Sequence, residues 1–327
     1  PGSNPEKCNK VRIRSDIDLM EKDGNFYLSG FVHCGQIWKC PLCARFVAFR
    51  RGKEIQTIID RVRADRGDVY LLTCTLPHDE GDDLKPLKKA VTKAFGRMLT
   101  GPPWKRAKQK YHISGWCRTL EVTHGKNGWH PHIHSLLFTR QPLTDAQRAA
   151  LQEFLYRRWA DYVERSGYRR PTPEHGLTLC HGENAGNYIA KITKQGFAEE
   201  LTRSDSKAGR NGSRSILQIV DDYGEYGRAS DEALIREWFE AMPGSRQLTW
   251  SKGFRNRYLP PEQSDFDLAQ DKDDPQAELI IRIAGAAWDR LTLQGRHWIP
   301  LLLEVAERSG RAGVTAFLNS VLEHIPP

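Results

Sequence analysis

Apolar residues follow two periods along this chain, and the changes of period mark its elements. From Arg45 to about Arg66 the apolar spacing, set among dense charge, predicts a helix. "DVYLLTCTLPH", residues 68 to 78, is rich in β-branched and aromatic residues and ends at Pro77, as a strand does before a turn. "LKPLKKAVTKAFGRML" then reads as an amphipathic basic helix. Residues 112 to 139 predict a hairpin: "HISGWCRTLEVTH" runs out, "GKNG" turns, and "WHPHIHSLLF" runs back.

Helical patterns at 143 to 165 and in "ENAGNYIAKITKQG" (183 to 196) flank a short strand, "GLTLCHG". "TRSDSKAGRNGSR", 202 to 214, has almost no apolar content and predicts a mobile loop. A helix at 231 to 242 leads to "RQLTWSKGFR". After Pro260 and Pro261, the acidic "EQSDFDLAQDKDDP" reads as a linker. Beyond it Ile280, Ile281, Ala284 and Trp288, and later Val314, Phe317, Leu318, Val321 and Leu322, predict a small helical unit. There is no internal repeat.

At 327 residues the chain can bury one large core, or a main domain with smaller ones. No run approaches the roughly 18 uninterrupted apolar residues of a membrane span, and the N-terminus lacks a charged-then-apolar export signal, so the expectation is a cytoplasmic protein without a membrane partner. The formal charge of +8 is uneven: residues 262 to 327 hold 6 Lys/Arg against 11 Asp/Glu, leaving 43 against 30 in the rest. The basic part suits a polyanion such as nucleic acid.

Charge alone names no chemistry; the cysteines and histidines do. Four of seven cysteines fall in the first 43 residues. In "CGQIWKCPLC", Cys34, Cys40 and Cys43 are spaced so that one tight turn directs the last two thiolates at a single ion. Cys8, returned by a hairpin between residues 11 and 33, is the candidate fourth ligand of a structural Zn2+, with His33 the alternative. The alternative is two buried cysteines beside two incidental ones, but four within 36 residues, with a proline in the last turn, favour zinc.

His130, His132 and His134 alternate along one predicted strand and so share a face. Two of them can bind one divalent ion and leave positions open. Across the turn, Glu121 lies nearly opposite His132 and His134 and could complete the set, provided the hairpin register holds; one residue of slip would point it away. On spacing alone, a structural zinc site or histidines satisfied by hydrogen bonds remain open alternatives.

The wider order of motifs carries a resemblance. "HPHIH" within an apolar strand resembles the motif of HUH endonucleases, two histidines around a hydrophobic residue. "YLLTCTLPH" is similar to the preceding motif of rolling-circle replication initiators, and "GNYIAKITK" to the third, in which a tyrosine is followed three residues later by lysine. "CGQIWKCPLCARFVAFRRGKEI" and "LTWSKGFR" resemble further signatures of plasmid Rep proteins. The ordered set covers roughly residues 8 to 256. Conjugative relaxases carry their tyrosine before the histidines; here Tyr188 follows them, as in replication initiators and some transposases.

The resemblance implies an α/β fold: a central antiparallel sheet with helices on one face and Tyr188 on a helix over the metal. The implied divisions are a zinc-binding segment at 1 to 50, an HUH endonuclease domain at 51 to 258, an acidic linker at 259 to 276 and a C-terminal helical unit at 277 to 327. It further implies that His132, His134 and Glu121 hold Mg2+ or Mn2+ and that Tyr188 attacks a DNA phosphodiester, leaving a 5′-phosphotyrosine and a 3′-OH. Lys191 would act beside Tyr188. Some relatives use a glutamate one helical turn before the tyrosine at termination; here that position is Asn184, and Glu183 lies five residues before. Helical periodicity by itself also fits Tyr188 as a core residue.

The implied partners are single-stranded or hairpin DNA at a plasmid double-strand origin, with a host helicase and polymerase. Lys207, Arg210 and Arg214 are candidate phosphate contacts. Trp129 would stack on an unpaired base or pack beneath the hairpin, and His130 is read as a group that does not ligate the ion. A one-tyrosine transposase and a non-catalytic, zinc-dependent DNA-binding regulator are the alternatives.

Overall fold

The computed structural model describes residues 7–8, 11–22, 24–182, 212–270, 277–293 and 298–324. The chain divides into two compact units: one takes in residues up to 50 together with those from 263 onward, the other, among the described residues, 51 to 182 and 212 to 262.

The first unit is built from both ends of the chain. Strands β1 (Ile17–Lys22) and β2 (Asn25–Ser29) form the hairpin. Helix α1 (Pro41–Ala64) begins within the cysteine cluster, and the division between units falls inside it. After the short helix α8 (Asp265–Ala269) come β8 (Glu278–Ile283), α9 (Gly285–Leu293) and α10 (Trp298–His324), which breaks at Gly310, where φ is 57°.

Two expectations are corrected here. Ile280 and Ile281, read as the start of a helical stripe, lie in β8, which pairs antiparallel with the open edge of β1, so the tail is helical only in part. A short apolar run fits either period, and a neighbouring strand edge decides it. The acidic stretch is likewise more than a linker: Ser264 and Asp267 form a capping box that starts α8, and Leu268 and Ala269 join the core around the cysteines. Gly35, at φ 64°, lies against Phe266, where an added Cβ would sit 2.8 Å from its Cα.

The second unit holds the central sheet: β3 (Asp68–Cys74), β4 (Ile113–Gly125), β5 (Gly128–Thr139), β6 (Leu177–His181) and β7 (Leu248–Trp250). Its order is β6-β3-β5-β4-β7, with every pairing antiparallel. The α/β fold is as the motifs implied, but helices cover both faces. On one face the second half of α1 packs Ile55, Ile58, Ile59 and Val62 against Val69, Leu136, Phe138 and Leu248. On the other lie α2 (Leu84–Met98) and α4 (Asp145–Glu164). The continuous run Leu136, Leu137, Phe138 is buried throughout, as a strand covered on both sides requires.

The remaining helices of this unit are α3 (Gly101–Lys110), α5 (Pro173–Gly176), α6 (Ile216–Tyr226) and α7 (Ala229–Ala241). Among the described residues no helix is long and apolar enough to cross a membrane.

Candidate metal centres

The β4–β5 hairpin has the register the sequence required: Gly125 pairs with Gly128 around a two-residue turn, and Glu121 pairs directly with His132. Since alternate residues share a face, His132, His134, Leu136 and Phe138 project together. The last two pack against α1. Further along, the same face turns from apolar to polar.

Glu121 Oε2 lies 3.2 Å from Nε2 of His132 and 3.2 Å from Nε2 of His134. One donor atom from each residue falls within 4.8 Å of the others. The two imidazoles are mostly buried, whereas 52% of the Glu121 side chain meets solvent, so the cluster is walled on one side and open on the other. Desolvation works against the Glu121 carboxylate, but the imidazoles donating to it hold its pKa well below the usual carboxylate range. Desolvation is the largest single influence, and the hydrogen bonds and charges of the two imidazoles together outweigh it. Burial disfavours the charged form of His132, yet Glu121 raises its pKa overall.

Neighbours aim both rings. His132 Nδ1 donates to the His130 carbonyl at 3.2 Å, and Thr73 Oγ1 lies 3.0 Å from Nδ1 of His134, its cross-strand partner on β3. With each Nδ1 engaged, both Nε2 atoms are left to converge on Glu121. Such outer contacts fix tautomer and ring orientation at metal sites. Two imidazoles, a carboxylate and an open side suit a divalent ion that keeps positions for water or substrate. The motif reading did not assign Thr73 this role; its place on the strand beside β5 was the available signal.

His130 lies beside this set, its ring centroid 5.1 Å from that of His132, but its Nδ1 is engaged by His78. His78 donates through Nδ1 to the Asn127 carbonyl at 2.8 Å, and its Nε2 lies 2.7 Å from Nδ1 of His130. Burial, then the charges of His132 and His78, push His130 down to about 4, so it is a neutral ring. His78, the last residue of "YLLTCTLPH", was not singled out from sequence.

In the first unit, Cys8, Cys34, Cys40 and Cys43 are buried with their sulfurs together: Sγ to Sγ, Cys8 is 3.4 Å from Cys43 and 3.5 Å from Cys40, and Cys34 is 3.7 Å from Cys43. Hydrogen bonds from Cys34, Cys40 and Cys43 push the Cys8 thiol down. Four converging thiols fit a closed tetrahedral zinc site. His33, the alternative fourth ligand, stacks on Phe46 at 6.1 Å and hydrogen-bonds to Cys8, beside the four thiols. Cys74 and Cys117 are isolated in the sheet, where burial raises both thiols, Cys117 to about 12. Cys180 is exposed.

Two candidate DNA contacts have partners within the protein. Trp129 is 2% exposed and its Nε1 donates to Glu237 Oε2 at 2.6 Å, so it packs beneath the hairpin and presents no face to a base. Arg214 is engaged by Asp222 at 2.6 Å and by the fully buried Asp231 at 2.7 Å, a structural arrangement in which a phosphate would have to displace a buried carboxylate. Glu183, Tyr188, Lys191, Lys207 and Arg210 lie outside the described residues.

Residues 29–159 match the family model described as replication protein. That segment contains three of the four clustered cysteines and the whole Glu121, His132 and His134 set, and ends before Tyr188. A protein named rep from Streptomyces lividans is 26% identical over 82% of this chain and 74% of its own length. A protein named rep from Streptococcus pneumoniae is 29% identical over 31% of each chain. A neomycin resistance protein from Streptomyces cyanogenus is 33% identical over 33% of this chain and 30% of its own length. No solved structure matches. Over residues 29–159, into which both candidate ligand sets reach, the chain is therefore similar to the replication-protein family.

Proposed function

We propose that this chain is a rolling-circle plasmid replication initiator that nicks and rejoins DNA at a double-strand origin. The observation that carries the reading is the convergence of Glu121, His132 and His134 on one open point. These three residues hold Mg2+ or Mn2+, with Thr73 fixing the His134 ring. The bound ion supplies Lewis acidity toward a non-bridging phosphate oxygen.

Tyr188 is the nucleophile. Its phenol loses a proton, the oxygen attacks phosphorus, and the bond to the 3′-oxygen breaks, leaving a 5′-phosphotyrosine. The departing oxygen takes a proton from water and becomes the 3′-OH that a host polymerase extends, behind a host helicase. Lys191 favours the phenolate or contacts the phosphate. A later 3′-OH reverses the step and reseals the strand without ATP.

The Cys8, Cys34, Cys40 and Cys43 set holds a structural Zn2+, since four thiolates leave no position for substrate.

The test is incubation of end-labelled single-stranded DNA from the cognate origin with protein and Mn2+. The reading expects cleavage to a polymerase-extendable 3′-OH that His132→Ala abolishes. No cleavage by the unaltered chain, or cleavage indifferent to His132→Ala, contradicts it.

A further inference from the structure

The cations of the second unit differ in whether a carboxylate faces them. Arg148, Arg157, Arg169, Arg170, Arg214 and Arg236 each face a carboxylate. Lys108, Arg140 and Arg257 have no carboxylate partner among the described residues, and they stand together. Residues 84 to 120, which include Lys108, hold ten Lys/Arg and no Asp/Glu.

Three separate parts of the chain bring these cations to the start of β4. Lys108 is in the last turn of α3, two residues before the loop into that strand. Arg140 follows the end of β5, and its backbone N–H donates to the His112 carbonyl at 3.0 Å. Arg257 ends the 3-10 turn Arg255–Arg257, held over the strand because Phe254 occupies the space beside Gly115, where a Cβ would meet its ring at 2.2 Å. Arg140 and Arg257 are exposed. Burial first, then the charges of Arg257 and Arg140, push the Lys108 ammonium down. A cation at a helix C-terminus is favoured by the helix dipole, which accounts for Lys108 but not for two guanidinium groups brought beside it.

We propose that Lys108, Arg140 and Arg257 form a phosphate-binding surface for duplex DNA that flanks the point of cleavage. Like charges held together on a surface are stabilised when polyanion phosphates replace their counterions. Six residues of chain separate His134 from Arg140, about 20 Å in extended strand, or about six base pairs at 3.4 Å each. The surface thus grips DNA roughly half a helical turn from the metal set. The inference rests on the reading of DNA as the partner, but it does not require that the chain cleave it.

The experiment measures affinity for a random-sequence duplex, long enough to cover the protein, as a function of salt. The triple variant Lys108→Gln, Arg140→Gln, Arg257→Gln is compared with the unaltered chain and with Arg157→Gln, Arg170→Gln, Arg236→Gln, which removes carboxylate-paired cations. Thermal melting verifies folding of each. Three lost contacts lower the slope of log K against log salt by about 2.7, at about 0.9 per phosphate, while the control triple leaves it unchanged. A loss smaller than one contact, about 0.9, or an equal loss in the control, overturns the proposal, as does failure of the unaltered chain to bind duplex. Cleavage of single-stranded origin DNA, assayed in parallel, reports on the nicking reading independently.

Discussion

The Thr73 hydroxyl lies 3.0 Å from Nδ1 of His134, while Nε2 of the same ring lies 3.2 Å from Glu121. With Nε2 as the ligating atom, the ring proton sits on Nδ1 and donates to Thr73 Oγ1. Thr73→Val keeps the side chain's shape and removes that acceptor. Mn2+ affinity is then expected to fall about 10- to 100-fold, the usual effect of losing such a contact, with melting temperature little changed. Calorimetric titration checks this, and an affinity equal to that of the unaltered chain contradicts it.

Glu121→Gln removes the only negative charge of the set. It is expected to cost more affinity than Thr73→Val, because a direct ligand is altered. Equilibrium dialysis against Mn2+ gives the ranking; the reverse order refutes the triad as the ion's site.

Metal affinity should fall with acidity. A divalent ion needs neutral imidazoles, and the pKa of His132 is raised by Glu121, so affinity begins to decline above the ordinary imidazole value of about 6.5. Glu121, held low, stays ionised throughout. In the metal-free chain the signs differ for the two groups. The depressed Glu121 contributes stability above the unfolded carboxylate range, which is lost as pH falls through its folded pKa. The raised His132 contributes below the unfolded imidazole range, which is lost as pH rises through its folded pKa. Mn2+ titrations between about pH 6 and 8 test the linkage; a flat profile contradicts it.

Cys8 and Cys43 bring the two ends of a 36-residue segment to one point, and Leu268 and Ala269 pack beside them. One zinc per chain is expected by elemental analysis, lost in Cys43→Ser. Its removal by a strong chelator should open this core to protease, since zinc-binding energy in such small sites is folding energy. Cleavage within the first 50 residues that is indifferent to chelator contradicts the assignment.

The tail completes the first unit, where Ile17, Leu19 and Phe31 share a core with Ile283, Trp288 and Leu302. Val314, fully buried there, should not tolerate Asp: burying an unpaired carboxylate costs several kcal/mol. Thermal unfolding of Val314→Asp should show a strongly lowered transition; an unchanged one contradicts the shared core.

The metal set was legible because its parts are local. A two-residue turn fixes hairpin register, and alternation then places Glu121 opposite His132. What was missed depends on distant partners. β8 is a strand because the edge of β1 lies open to it, and the choice between the two readings of Trp129 rested on Glu237 of α7, 108 residues away. Thr73 and His78 acquire their roles only once β3 lies beside β5. Helices on both faces of the sheet were implicit in the run Leu136 to Phe138, which has no polar alternation.

The most direct test is to locate a covalent bond. After reaction with Mn2+ and single-stranded origin DNA, nuclease trimming and peptide mass spectrometry should find a nucleotide on Tyr188, absent in Tyr188→Phe and in Glu121→Gln. A nucleotide carried by a different residue, or strand cleavage with no protein-linked product at all, would contradict the account.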